Sequence, residues 1–373
     1  MGATKQPKGR GSRRQRRQAT RGYSGGKVSR HRKGQAPRRV QDHSALPHQK
    51  RKNPLPQENC PNPLRFATQY AILNTAASAG TPYIHTEERT YSPMTTETFM
   101  LSPKYPDCTV VSYIHAPSAE LNIPVRRAII VCPGGGYQFL SDREAEPVAL
   151  QYFAAGLNVF VLNYSIQDKA HDSAPLIEAA LAVRHIRENA EKYHIDPRYV
   201  FITGFSAGGH VAACCGTMWK DAAVLAAMGD APYGIWKPTA TVLCYPVITA
   251  TMFTHYGSID TISNGHAKDG ETIEHWSVEK HVDADTAPAF IWHTFDDAAV
   301  PIQNTLLYAN ALAAAGVPFE YHVYPSGVHG LSLANRETWV GQAQLDVPAI
   351  AGWIHEAIRY VLEFEARGEG SRA

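Results

Sequence analysis

The sequence predicts an α/β fold: a mostly parallel central sheet with helices on both faces, a short rim insertion and a disordered basic N-terminal tail. Three observations carry this. Short Val/Ile-rich runs alternate with helical patterns from residue 108 onward, the signature of a parallel sheet crossed over by helices. The runs AIIVC, VFVLNY and VFITGF are continuously apolar, as strands buried on both faces must be. The charge is also divided. Residues 1–93 hold 19 Lys and Arg against 4 Asp and Glu, whereas the other 280 hold 17 against 30. The small net charge of +2 hides two physically different segments.

The first segment opens MGATKQPKGRGSRRQRRQATRGYSGGKVSRHRKGQAPRRV, nearly free of aliphatic residues. Such a stretch buries too little surface to offset its ordering entropy, so residues 1–65 read as disordered and 66–93 as undecided. The expected division is a basic extension over 1–93 and a folded domain over 94–373. Clustered cations suit a nucleic-acid arm that releases counterions from phosphates. The plainer readings are a solvated tail, or an upstream stretch outside the native product, because Met94 opens MTTETFM just before the first strand pattern.

The elements then follow in order. CTVVSYIHA and RRAIIVC read as strands, EPVALQYFAAGL as a helix and NVFVLNYSI as a strand. LIEAALAVRHIRENAEKYHI spaces its apolar residues as a helix does. YVFIT is a strand, AGGHVAACCGTMW a helix, and TATVLCYPVIT and PAFIWHTF are strands. QNTLLYANALAAAG is a helix, FEYHVYP a strand, and VPAIAGWIHEAIRYVLEFEARG a long closing helix. Residues 251–287 break the rhythm with a polar run rich in His, Asp and Gly. A connection of that length is usually functional and often rims a site, although a decorative insertion is the alternative.

Composition excludes several classes. The six cysteines include no C-x-x-C pair, and Cys214 adjoins Cys215. Buried free thiols are expected rather than a disulfide framework. No metal-ligand spacing such as H-E-x-x-H occurs. The N-terminus lacks the apolar core of a secretory signal. The longest apolar stretch, residues 149–166, is interrupted by Gln151, Gly156 and Asn158 and reads as helix then strand, not as a membrane span. A cytoplasmic protein that needs no metal or cofactor is expected, with its oligomeric state open.

The chemistry centres on GFSAGGH, residues 204–210, which follows a strand and opens a helix. That is the setting of a nucleophile elbow, in which a strained turn lifts a serine hydroxyl above the sheet. Gly204 and Gly208 supply clearance two residues on either side of Ser206. The Ala207 amide, at the helix N-terminus, can donate to a developing oxyanion. The pattern alone is weak, so partners must support it. CPGGGY, residues 132–137, follows a strand, and its glycines let backbone amides converge on one point. No Gly-Lys-Ser/Thr follows, which argues against a P-loop, and an ordinary flexible strand-to-helix loop is the plain alternative. HTFDDAAVP, residues 293–301, places Asp296 and Asp297 at a strand end. Either can orient a histidine, and Asp297 is preferred; a helix N-cap is the plain alternative. PSGVHGL presents His329 between the last strand and the closing helix. His210, His293 and His322 read as structural or supporting groups. In SDREAEP, Ser141 and Glu144 have capping-box spacing, while Pro147 argues for a helix start near Glu146; both cannot fully hold. Arg143 is a minor candidate for substrate contact.

The order Ser206, Asp297, His329 is that of the α/β-hydrolase arrangement. The stretches CPGGGYQFLSDREAEPVAL, DPRYVFITGFSAGGHVA, APAFIWHTFDDAAVP and YPSGVHGLSLA resemble acetyl esterase and acetylxylan esterase-like carboxylesterases, relatives of the dienelactone-hydrolase-like group. The likeness spans about residues 108–365 and implies an α/β-hydrolase esterase. It also implies an oxyanion hole of Gly135 and Gly136 with the Ala207 amide. Pro133 stands where the related lipase loop carries histidine. The expected activity is serine ester hydrolysis of short-chain, acetyl-type esters of small molecules or carbohydrates. A peptidase or an acyltransferase could use the same triad. A nucleic-acid-binding protein acting through its basic tail is the rival from another class.

Overall fold

The Val/Ile-rich runs become strands of one sheet because each is apolar on both faces and is flanked by helices that bury it. The computed structural model describes residues 94–118 and 120–365. The expected disorder of the basic extension and the free-thiol reading of Cys60 concern residues outside that range.

Among the described residues the strands are β1 (Thr95–Met100), β2 (Thr109–Ile114), β3 (Arg126–Cys132), β4 (Asn158–Asn163), β5 (Ile195–Phe205), β6 (Thr241–Cys244), β7 (Ala289–Thr294) and β8 (Phe319–Tyr324). They lie in the order β1-β2-β4-β3-β5-β6-β7-β8. The pairs β1·β2 and β2·β4 are antiparallel, and all others are parallel. The helices are α1 (Glu146–Ala154), α2 (Ala174–Glu188), α3 (Ser206–Thr217), α4 (Ala222–Met228), α5 (Tyr256–Ile262), α6 (Gly270–Trp276), α7 (Gln303–Ala315) and α8 (Trp353–Glu363). The sheet separates two apolar layers. One joins Ile130, Ile202 and Leu243 to Val183 of α2 and Val211 of α3. The other joins Val131, Phe201 and Phe290 to Tyr152 of α1 and Trp353 of α8. Cys108, Cys132, Cys214, Cys215 and Cys244 are buried free thiols.

The expected mostly parallel sheet with helices on both faces is present, and three local details differ from expectation. MTTETFM contributes an edge strand, β1, whose residues are mostly exposed, so no buried face marked it in the sequence. The closing helix begins at Trp353 rather than at Val347. Val347 donates its amide to Ala334 and Ile350 donates to Val347, so residues 347–352 form turns, and Pro348 and Gly352 disfavour a helix there. The capping box does not form: Ser141 makes no side-chain cap, and α1 starts at Glu146 with Pro147 in its first turn, where a missing amide hydrogen does no harm.

One buried charge stands apart from the site. Glu178 of α2 is fully enclosed and accepts hydrogen bonds from the Ser165 amide at 2.7 Å and the Ser165 hydroxyl at 2.5 Å. Burial outweighs these two bonds and raises its carboxyl to about 7. An acid with a raised folded pKa favours the fold below its unfolded pKa, and that advantage is lost as pH rises through the folded value. Glu178→Gln keeps both partners satisfied without a charge. It should stabilise the fold by roughly 1–3 kcal/mol at pH 8 and by little at pH 4, as measured by urea unfolding at the two pH values.

Candidate active site

The C-terminal ends of β5, β7 and β8 deliver three side chains to one place. Ser206 follows β5 directly and is the first residue of α3, with φ at +53°. A side chain rarely holds that conformation unless its surroundings enforce it. Clearance comes from the flanking glycines. A Cβ on Gly204 would lie 2.0 Å from the Gly208 carbonyl oxygen, and one on Gly208 would lie 2.2 Å from the Cys132 oxygen. The turn therefore packs backbone against backbone and leaves the serine hydroxyl directed outward.

His329 lies in the loop after β8. Its Nε2 is 2.7 Å from Ser206 Oγ, and its Nδ1 is 2.7 Å from Asp297 Oδ2. An ionised carboxylate only accepts, so Nδ1–H donates to Asp297 and Nε2 is left to accept from the serine. Asp297 is enclosed at the end of β7. Its other oxygen accepts the amides of Ala299 and Val300, each at 2.9 Å. Burial pushes its carboxyl up, but hydrogen bonds from His293 and His329, the charge of His329 and the Val300 amide outweigh that and hold it well below the usual carboxylate range. Asp296 points elsewhere and accepts from the Ser326 hydroxyl and the Gly327 amide, both at 2.7 Å. Asp297, not Asp296, is thus the acid that meets His329.

His293 is buried, with Nε2 2.9 Å from the Val300 carbonyl and 3.3 Å from Asp297 Oδ2. It meets the same carboxylate oxygen that accepts from His329. His210 is buried four residues after the serine. Its Nδ1 lies 2.8 Å from the Tyr137 hydroxyl, and its Nε2 lies 3.1 Å from the Trp276 carbonyl. Burial lowers its imidazole to about 4, so it stays neutral, donating to Trp276 and accepting from Tyr137. His322 lies along β8 and pairs with Glu320 at 2.8 Å.

The glycine loop after β3 closes one side of a cleft of about 610 Å³ that holds Ser206 and His329. Gly135, Gly136 and Tyr137 all have positive φ, at 134°, 65° and 60°; two of the three are glycine, which adopts it freely, and Tyr137 is held by His210. The Pro133 carbonyl is fixed by the Tyr164 hydroxyl at 2.6 Å. Gly135 and Gly136 line the cleft, and Ala207 follows Ser206 in the first turn of α3. Among the described residues the amides of Gly135, Gly136 and Ala207 donate to no protein acceptor.

Residues 251–287 supply the facing wall through His255, Gly257, Asp260 and Thr261. Burial and the nearby His329 lower the His255 imidazole. The sequence reading missed His255, Tyr137 and the bonding of Glu144, whose carboxylate accepts from the Gly134 amide at 2.8 Å and the Tyr245 hydroxyl at 2.7 Å. The CPGGGY run, the length of the insertion and the S-D-R-E-A-E-P run pointed toward these groups.

A family model described as BD-FAE matches residues 114–312. The chain belongs to the BD-FAE family. The family has the α/β-hydrolase fold and is related to acetylxylan esterases and carboxylesterases, so the resemblance read from the motifs holds at the level of the family. This BD-FAE chain is 38% identical over 235 residues to Endo-1,4-beta-xylanase B of Butyrivibrio fibrisolvens, covering 62% of this chain and 35% of that protein. It is 30% identical over 236 residues to an Acetylxylan esterase of Xylanibacter ruminicola, covering 62% and 46%. The chain therefore spans less than half the length of either relative. Among solved structures it is similar to an acetyl ester-xyloside bifunctional hydrolase from Caldicellulosiruptor lactoaceticus, at 36% identity and a TM-score of 0.58, covering 69% of this chain and 89% of that one.

Gly208→Ala should destabilise the fold by about 3 kcal/mol, the upper range for overpacking, because the new methyl would meet main-chain oxygens. Gly270→Ala, with open space around it and no positive φ, should instead gain about 0.4–1 kcal/mol. Thermal unfolding of the two variants side by side checks the contrast.

Proposed function

We propose that the chain is a serine carboxylic ester hydrolase acting on short acyl esters, acetyl esters first, of carbohydrate alcohols. One observation carries this: the unbroken line of two 2.7 Å contacts from Ser206 Oγ through His329 to Asp297. As the hydroxyl attacks the ester carbonyl, His329 Nε2 takes its proton. Asp297 fixes the tautomer and stabilises the imidazolium that forms. The amides of Gly135, Gly136 and Ala207 receive the negative charge on the former carbonyl oxygen. The C–O bond to the alcohol then breaks, and the alkoxide leaves with the proton from His329. Water repeats the cycle on the acyl-serine and releases the acid.

The polar wall favours a hydroxylated alcohol. Gln138, Arg143, Asp260 and Thr261 surround the cleft and offer both donors and acceptors. The names of two similar proteins, an acetylxylan esterase and an acetyl ester-xyloside bifunctional hydrolase, support the same substrate class.

With 4-nitrophenyl acetate, Ser206→Ala should lose about 10⁶ in turnover and Asp297→Asn about 10⁴, both with the native circular dichroism spectrum. Asp296→Asn should fall far less. Normal hydrolysis by Ser206→Ala would sink the assignment. On a panel of increasing acyl length that includes acetylated xylan, kcat/KM should peak at acetyl and fall steadily beyond butyryl; a peak at long acyl chains would refute the short-acyl reading.

A further inference from the structure

We infer that Glu144 is a positioning residue: its buried carboxylate joins the glycine loop to the loop bearing His329 and so fixes the oxyanion donors relative to the general base. The inference rests on the serine esterase reading above. Glu144 is only 3% exposed. Its Oε2 accepts the Gly134 amide at 2.8 Å, and its Oε1 accepts the Tyr245 hydroxyl at 2.7 Å. The Tyr245 oxygen in turn accepts the Ser332 amide at 2.8 Å. One chain of three hydrogen bonds thus runs from the residue before Gly135 to the residue three after His329. The Tyr245 and His329 rings also make a T-shaped contact, with centroids 5.2 Å apart.

The neighbouring residue makes a second tie. The Arg143 carbonyl accepts the Ser332 hydroxyl, and its guanidinium donates to the Gly330 carbonyl, both at 2.5 Å, and to the Thr338 carbonyl at 2.6 Å. The far side of the His329 loop is pinned by the Trp353 indole, which donates to the Ser332 carbonyl at 2.9 Å.

Hydrogen-bond polarity explains why the bridge is a carboxylate. The Gly134 amide and the Tyr245 hydroxyl both donate, so the bridging group must accept at each end. Glutamine accepts at one end and donates at the other, and leaves one partner unmet. Tyrosine has to donate and accept at once, which phenylalanine cannot do. The carboxylate also lies close to the nucleophile: a Cβ on Gly134 would sit 2.6 Å from Glu144 Oε2 and 3.1 Å from Ser206 Cβ. Groups that align donors with the reacting atoms are felt in the transition state more than in the ground state, so their loss appears in kcat.

The test uses the full chain with 4-nitrophenyl acetate. Tyr245→Phe, which removes one oxygen atom, and Glu144→Gln should each lower kcat by about 10–100-fold while KM stays within about twofold, and Glu144→Asp should fall between Glu144→Gln and wild type. Near-UV circular dichroism reports whether packing is native. Tyr245→Phe decides if Glu144→Gln does not fold. A natively packed Tyr245→Phe with wild-type kcat overturns the inference, and so does one that loses native packing, since the network would then serve stability alone. Ser206→Ala runs in parallel. Its continued turnover would remove the esterase reading itself, whereas a silent Ser206→Ala beside a fully active Tyr245→Phe removes only the positioning role.

Discussion

Ser206 holds a left-handed backbone conformation at the junction of β5 and α3, and the architecture around it exists to keep it there. The strain is enforced by contact on three sides. Gly204 lies against the Gly208 carbonyl, Gly208 against the carbonyls of Cys132 and Pro133, and Gly209 against Pro246. These contacts join β3, β5 and the segment after β6 at one point, so the turn cannot relax without separating parallel strands. Every residue of α3 is buried, which prevents the helix from tilting to relieve the turn. Local strain is thus opposed by the packing of the whole sheet.

Two buried carboxylates in this chain show how environment decides charge. Asp297 gathers the Ala299 and Val300 amides, the His329 ring and the nearby His293 ring. Together they overcome the loss of solvation, and the group stays ionised. Glu178 has the two bonds from Ser165, and burial wins, so its carboxyl titrates near neutrality. The difference is the number of donors each carboxylate gathers.

Much of this was legible in the sequence. Apolar continuity marked β3, β4 and β5, and glycine spacing around Ser206 marked the elbow. The chain order of serine, acid and histidine marked which strand ends meet. What stayed hidden depends on partners distant in sequence. Glu144 reads locally as a helix cap, because nothing near it shows that Tyr245, 101 residues away, will donate to it. Likewise His210 is one of 17 histidines until the fold brings Tyr137 to its ring. The choice of Asp297 over its neighbour was legible only as a preference; the geometry at the end of β7 separates the two, since one side chain turns inward to His329 and the other to the Ser326–Gly327 turn.

The wall formed by residues 255–261 hangs from the end of β6, a strand that lends no member to the proton relay. That wall and the Ser206–His329–Asp297 line therefore come from different loops of the same scaffold. An insertion, deletion or wholesale exchange of that hanging segment would reshape the entrance while leaving the relay undisturbed.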